Sequence, residues 1–372
     1  MRATTRLGVA LAAAAAALCI AGTPAFAAPA YRAVFVQTDN LKGNQVVVYD
    51  RSSEGTLTQA GVYSTGGLGG QLEGSVVDHL ASQGSLAYDS RDGLLFAVNA
   101  GSDTVSVFGV YGDKLALRQV IDSGGSFPAS IAVDNGVVYV LNALDGGSLQ
   151  GFAVSAGRLV AIPGSWRALG LSTTETPQFT HTPGTVVFSP NGSQLLVTTK
   201  ANGEDVDVFA VSPGGGLSAT PVVSPLPGTV PFAITFDREG HVILAEAAGE
   251  LASFELKENG ELEQLDAVGT EQAATCWVAQ ARGHFYASNA GSGSLSTFGS
   301  GFAGQLLTLL GDTPTDAGTV DASATPSGAF LYVQTGAEGV VDEFAVGAQG
   351  ALSAIGSVTV PGGAGGEGIA AG

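Results

Sequence analysis

The chain has 372 residues, 45% of them hydrophobic, with 14 Lys and Arg set against 33 Asp and Glu for a net charge of −19. So acidic a chain lacks the clustered cations that nucleic acids and anionic membranes require, so neither is an expected partner. The 55 glycines punctuate short apolar runs rich in Val, Leu, Ala and Phe, and no helical periodicity is sustained beyond the N-terminal leader, which points to an all-β fold.

The first element is a processing signal. Arg2 and Arg6 form a charged n-region, Leu7 to Ala21 is an apolar run, and Ala25-Phe26-Ala27 fits the small-x-small cleavage rule. Residues 1–27 are therefore expected to be a signal peptide, with cleavage leaving Ala28 at the start of an exported, extracellular protein. Cys19 lies in the leader behind Leu18 and does not read as a lipid-anchored cysteine. The mature chain keeps only Cys276, so no intramolecular disulfide is available and stability rests on the core. No later stretch is long and apolar enough to span a bilayer.

From residue 33 onward a strand pair recurs seven times, as in VFVQTDNLKGNQVVVYD (34–50), LFAVNAGSDTVSVFGV (95–110) and FYASNAGSGSLSTFGS (285–300). Each copy ends in an aromatic: Tyr49, Phe108, Phe152, Phe209, Phe254, Phe298 and Phe344. A period of about 45 residues with several strands per unit marks a β-propeller blade. Residues 28–372 are thus expected to form one domain, an all-β seven-bladed β-propeller with four-stranded blades. One unit reads as strand A at 129–135, strand B at 136–142 after an Asn135-Gly136 turn, strand C at 149–155 and strand D at 158–164. The ends are out of phase. The chain enters on a B strand, 33–38, and leaves on a lone A-like strand, 366–372, so the C-terminal strand should complete blade 1 and close the ring.

In this arrangement D-to-A and B-to-C connections share one face, here the top. Two steps of the repeat are longer than the rest, and their extra residues fall in D-to-A connections at 66–83 and 163–183, both on top. Insertions gathered on one face mark it as the binding face. His79 and His181 lie in them and are candidate bases or plain loop residues; His241 and His284 sit in bottom turns. At the top end of strand B the repeat aligns Thr38, Asn99, Asn142, Thr199, Glu246, Asn289 and Thr335. Asn99, Asn142, Asn289 and Thr199 are candidate ligand-binding residues around the channel mouth, the competing reading being local turn closure. Glu246 is the ionisable member of the ring, and Lys200, one blade earlier, is placed to pair with it. Asp39, Asp103, Asp145, Glu204, Asp205 and Glu250 form an acidic rim that reads as solvated charge, without calcium-loop spacing. No zinc motif or nucleophile elbow appears, and no cofactor or metal is expected. Cys276, beside Trp277, reads as a buried filler.

With TLTQAG, SQGSLAYDS, GTVVFSPNGSQLLVTTK, AATCWVAQA and SNAGSGSLSTF on view, the whole mature chain resembles the seven-bladed propeller lactonase family, which includes 6-phosphogluconolactonase and carboxymuconate cyclase types. The resemblance is to secreted bacterial members, and it implies a lactone hydrolase or related cyclase. One strand A departs from the family. Catalytic members carry Pro-Arg-His there, whereas this chain has Pro183-Gly184-Thr185.

Two readings follow. In the first, a monomeric secreted hydrolase takes a small-molecule lactone at the top of the channel, with Glu246 or His181 as base and Lys200 polarising the carbonyl. In the second, a non-catalytic propeller binds a polar ligand or protein partner through its top face.

Overall fold

A computed structural model describes Met1, residues 32–301 and residues 306–372. The expected signal peptide and its cleavage point, Met1 apart, lie outside the described residues. Among the described residues no helix is long and apolar enough to cross a membrane.

Seven antiparallel sheets form the blades of an all-β seven-bladed propeller. In blade 3 the four strands are Pro128–Asp134, Val137–Asn142, Ser148–Ser155 and Arg158–Ala161, with a fifth, Arg167–Ala168, paired beside strand C. Blade 1 is built from both ends of the chain. Ile369–Ala371 pairs antiparallel with Ala33–Gln37, Val34 opposite Ala371 and Val36 opposite Ile369. The closing strand is three residues long, shorter than the seven expected, because Glu367 leaves the sheet to bond elsewhere (below).

Strand B of every blade is a near-continuous apolar run, as in Leu94–Asn99 and Val242–Glu246, because neighbouring blades cover both of its faces. The outer D strands alternate, as in Leu57–Ser64, with one face in water. The core is accordingly divided. Seven apolar clusters sit one at each interface between neighbouring blades, such as Phe96, Val105, Ile131 and Phe152 between blades 2 and 3. The repeat aromatics are the wedges of this packing: all seven are at most 2% exposed. In blades 1, 2, 5, 6 and 7 the strand C–D register slips at that aromatic, for example between Val107 and Phe108, a bulge that adds twist where the blade must splay. Strand-B tyrosines stitch blades together. Tyr139, Tyr286 and Tyr332 each donate to a glycine carbonyl in the next blade's C–D turn, Gly215, Gly350 and Gly55.

Candidate functional site

The axis of the propeller is not an open funnel. The end of the first insertion, residues 78–85, is bonded to several blades at once. Ser82 Oγ donates to Ala129 O, and Ile131 N to Gly84 O, in blade 3. Gln83 N donates to Gly184 O in blade 4, and Thr185 Oγ1 donates to Gln83 O. In blade 6, Trp277 Nε1 donates to Ser82 O, while the Gln83 amide exchanges two bonds with the backbone of Val278. Glu367 of the closing segment accepts from Gly84 N, at 3.0 Å, and from Ser82 Oγ and Ser85 N. A segment held by blades 1, 3, 4 and 6 has to cross the axis, so residues 78–85 plug the channel from the top.

Four carboxyl groups are packed around this plug. Asp39, Asp78, Asp321 and Glu367 are each at most 4% exposed. Burial pushes Asp78 up to about 6 and Asp321 up to about 7, and raises Asp39 and Glu367 well above the usual carboxylate range. Backbone amides act in the other direction: Asp78 accepts from Leu80 N and Ser82 N, and Asp39 from Glu367 N.

Beside the plug, off the axis, lies a cavity of about 590 Å³ on the top face. Val76, Val77, Asp78 and Ala81 form one wall, and the short helix Gln178–His181 of the second insertion contributes Phe179 and Thr180. The rest comes from Lys200 and Ala201 of blade 4, Val230, Phe232 and Ala247 of blade 5, and Ala274, Cys276, Trp277, Ala290 and Gly291 of blade 6. Asp78 is the carboxylate among its lining residues and Lys200 the cation.

Lys200 is fully buried, in the left-handed region at φ 52°. Its Nζ donates to Ala81 O at 2.7 Å, Phe179 O at 2.7 Å and Thr182 Oγ1 at 3.1 Å, so its three hydrogens are all used and one ammonium ties both insertions to blade 4. Nζ also lies 5.2 Å from the centre of the Phe232 ring. Burial pushes the ammonium down to about 7, against the attraction of Asp78. The expected pairing of Lys200 with Glu246 is not formed. Glu246 stands opposite Glu250 in blade 5, where burial and then that neighbour's charge raise it to about 7, and it does not line the cavity. His181 also faces elsewhere. Its Nδ1 meets Thr180 Oγ1 and Pro177 O, and its side borders a smaller recess with Asp145 and Glu175. Of the three residues expected to converge, the structure brings only Lys200 to the cavity.

The polar ring closes turns rather than lining a mouth. Asn99 Nδ2 donates to Thr104 Oγ1 and Ser106 Oγ, and Asn289 Nδ2 to Ser294 Oγ and Ser296 Oγ, with identical spacing. Asn142 bonds Ser148 and Ser123, and Thr199 Oγ1 donates to Asp205 Oδ1. All four are at most 1% exposed. Rim acids anchor loops: Asp103 accepts from Phe127 N, Asp145 from Ser126 Oγ and Glu204 from Gly228 N. Cys276 is buried, with its thiol pushed up to about 12 by desolvation, and acts as cavity wall. Among the described residues one set has its ligand atoms within 4.8 Å of one another, Asp237, Glu239 and His241 in a bottom turn, where the His241 Nδ1–Asp237 Oδ2 bond already pairs two of the three.

The position of the family's missing Arg-His is closed. A Cβ on Gly184 would lie 2.8 Å from Phe232 O and 3.0 Å from Thr198 Oγ1, and Thr185 is buried against Gln83 of the plug. Asp78, which no motif singled out, carried one signal in the sequence: an acid in a top-face insertion, between apolar Val77 and Leu80.

Among curated proteins none matches the chain. Similar solved structures include a putative 6-phosphogluconolactonase from Bacteroides fragilis, 18% identical over 91% of this chain and 97% of that one, with a TM-score of 0.70. The periplasmic gluconolactonase of Pseudomonas aeruginosa is 20% identical over 91% and 98%, with a TM-score of 0.71. Identities this low speak for the fold alone. The family model for lactonases with a seven-bladed β-propeller matches residues 69–365, nearly the whole ring, and the chain belongs to that family.

Proposed function

We propose that this protein hydrolyses a small lactone in the top cavity, with Asp78 as the general base. The observation that carries the reading is Asp78 itself, a buried carboxylate lining the cavity whose burial places its pKa at about 6, where it is ionised yet basic at neutral pH. Backbone amides of Leu80, Ser82 and Ala81 hold the carboxylate in place, and a carboxylate's roughly four acceptor sites leave it one for water. Asp78 takes a proton from water as the oxygen attacks the lactone carbonyl. The ring C–O bond then breaks, and the leaving alkoxide recovers the proton from Asp78, giving the hydroxy acid. Lys200 has no hydrogen to spare and acts through space, its charge favouring the oxyanion as it develops.

Family membership supports a hydrolase of this class. The closure of Gly184 supports the second reading, a propeller that binds without turning over, and the same assay separates the two. Asp78→Asn should lower kcat/KM for a hydrolysed lactone by about a hundredfold, the scale of a lost general base. Wild type should show an acid limb in kcat/KM near pH 6. Absence of turnover over a panel of lactones, or a flat profile there, sinks the assignment. We also read the protein as an exported monomer, in keeping with the periplasmic placement of the Pseudomonas neighbour. Sequencing the protein from culture medium should find Ala28 first, and sizing should give one chain.

A further inference from the structure

The cavity's walls specify more than a place for the reaction. Phe179, Phe232, Trp277, Val76, Val230 and Ala247 present carbon to the interior. The Phe232 and Trp277 rings stand 4.9 Å apart at 60°, a tilted aromatic pair forming one side. The polar groups that border it are largely committed. Lys200 spends its three hydrogens on Ala81, Phe179 and Thr182. Trp277 spends its indole N–H on Ser82 O. Thr180 Oγ1 is likewise bonded to Pro177 O and His181 Nδ1, which leaves Asp78 to contact a polar group.

We propose that the cavity takes a neutral, mostly apolar lactone, an aryl- or alkyl-substituted ring, in preference to a polyhydroxylated or phosphorylated sugar lactone. The proposal rests on the hydrolase reading above and names its substrate class. A sugar lactone would bring several hydroxyls into walls that offer almost no partners, and each buried hydroxyl left unpaired costs about 1–3 kcal/mol. A phosphate would find no free donor cation and would face the Asp78 carboxylate. An aromatic or alkyl ring instead buries its carbon against the Phe232–Trp277 pair and turns its ester toward Asp78. A cavity of about 590 Å³ has room for a bicyclic or a decyl lactone.

The test measures binding and turnover separately. Calorimetry with 3,4-dihydroquinolin-2-one, the non-hydrolysable lactam of dihydrocoumarin, reports occupancy. Hydrolysis of dihydrocoumarin and δ-decalactone is compared with that of glucono-δ-lactone and 6-phosphogluconolactone, corrected for spontaneous rates. Ala247→Trp fills the cavity from its blade 5 wall, with the melting temperature as the check on folding. If that variant fails to fold, Ala290→Trp fills it from blade 6. The lactam is expected to bind the wild type and to lose at least tenfold in the filled variant. The apolar lactones should exceed the sugar lactones at least a hundredfold in kcat/KM. Lactam binding that Ala247→Trp abolishes, without turnover of any lactone, would support the ligand class while removing the hydrolase reading. Turnover of a sugar lactone equal to or better than that of dihydrocoumarin would leave the hydrolase and overturn the class. A wild type that does not bind the lactam overturns the class as well.

Discussion

The two top-face insertions look alike in the sequence and do opposite things in the fold. The first ends in residues 78–85, which run through the middle of the ring, with Asp78, Leu80, Ala81, Ser82 and Ser85 buried. The second keeps residues 172–177 in water and reaches inward through Phe179, Thr180 and Thr182, with Phe179 O and Thr182 Oγ1 meeting Lys200. The first insertion is therefore part of the core, and the second is a roof laid on it. The site lies between them, which is why neither insertion alone marks it.

The sharpest way to break this contrast is to weaken each insertion in turn. Gln83→Ala strips two hydrogen bonds from the backbone of Val278 and leaves that buried N–H and C=O without their partners. A loss of about 2–4 kcal/mol is expected, visible as a fall of about 3–6 °C in the melting temperature of a ring this large. Replacing residues 172–175 with two glycines should change stability by less than about 1 kcal/mol, since those side chains are exposed. Equal losses in the two variants would show that the second insertion is as structural as the first.

A smaller effect separates the buried acids from Lys200 by pH. Asp78 and Asp321 are raised by burial to about 6 and about 7. The native state thus holds protons that the unfolded chain releases above about pH 4. Their contribution is complete below that pH and is lost as pH rises through 6 and 7. Lys200 is shifted the other way, down to about 7. Its cost is full below that pH and fades as pH rises toward the ordinary amine value of about 10. Urea unfolding should therefore show stability falling from about pH 4.5 to 7.5, with Asp39 and Glu367 adding to the fall and Lys200 easing it above about pH 7. Lys200→Met should remove that easing and, by removing the cation that lowers Asp78, steepen the fall. A curve that rises from pH 4.5 to 7.5 contradicts the buried-acid account.

These residues also show what sequence reading reaches. The blade was legible because its signal is local and repeats: Tyr49, Phe108 and their five counterparts are all core wedges. Ring closure was legible from the phase of the ends. Turn closure by the asparagines was legible too, since Asn99 and Asn289 find their hydroxyl partners five and seven residues on. The plug was not, because its bonds join residues far apart in the chain, Ser82 to Trp277 and Ser85 to Glu367, and no local pattern announces them. The repeat placed Lys200 on the top face, but its partners come from two insertions that have no counterpart in the other blades. Glu246 and Lys200 were aligned as neighbours on a mouth that the plug occupies.

The smallest expected effect is at Glu246, and it decides between the base suggested by the repeat and the one suggested by the cavity. Glu246 is 3% exposed and sits directly across from Glu250, and burial together with that neighbour raises it to about 7. An acid with its native pKa raised contributes fully at low pH and loses that contribution as pH rises through 7. Gln is isosteric and never ionises, so Glu246→Gln should match the wild type near pH 4.5 and be more stable at pH 8, by about 1–3 kcal/mol. Lactone turnover should stay within about twofold, because the cavity wall is formed by the next residue, Ala247, and not by Glu246. Asp78→Asn measured in the same assay supplies the contrast. If Glu246→Gln instead keeps its stability and loses about a hundredfold in kcat/KM while Asp78→Asn remains active, the base belongs to blade 5 and the chemistry does not take place against the plug.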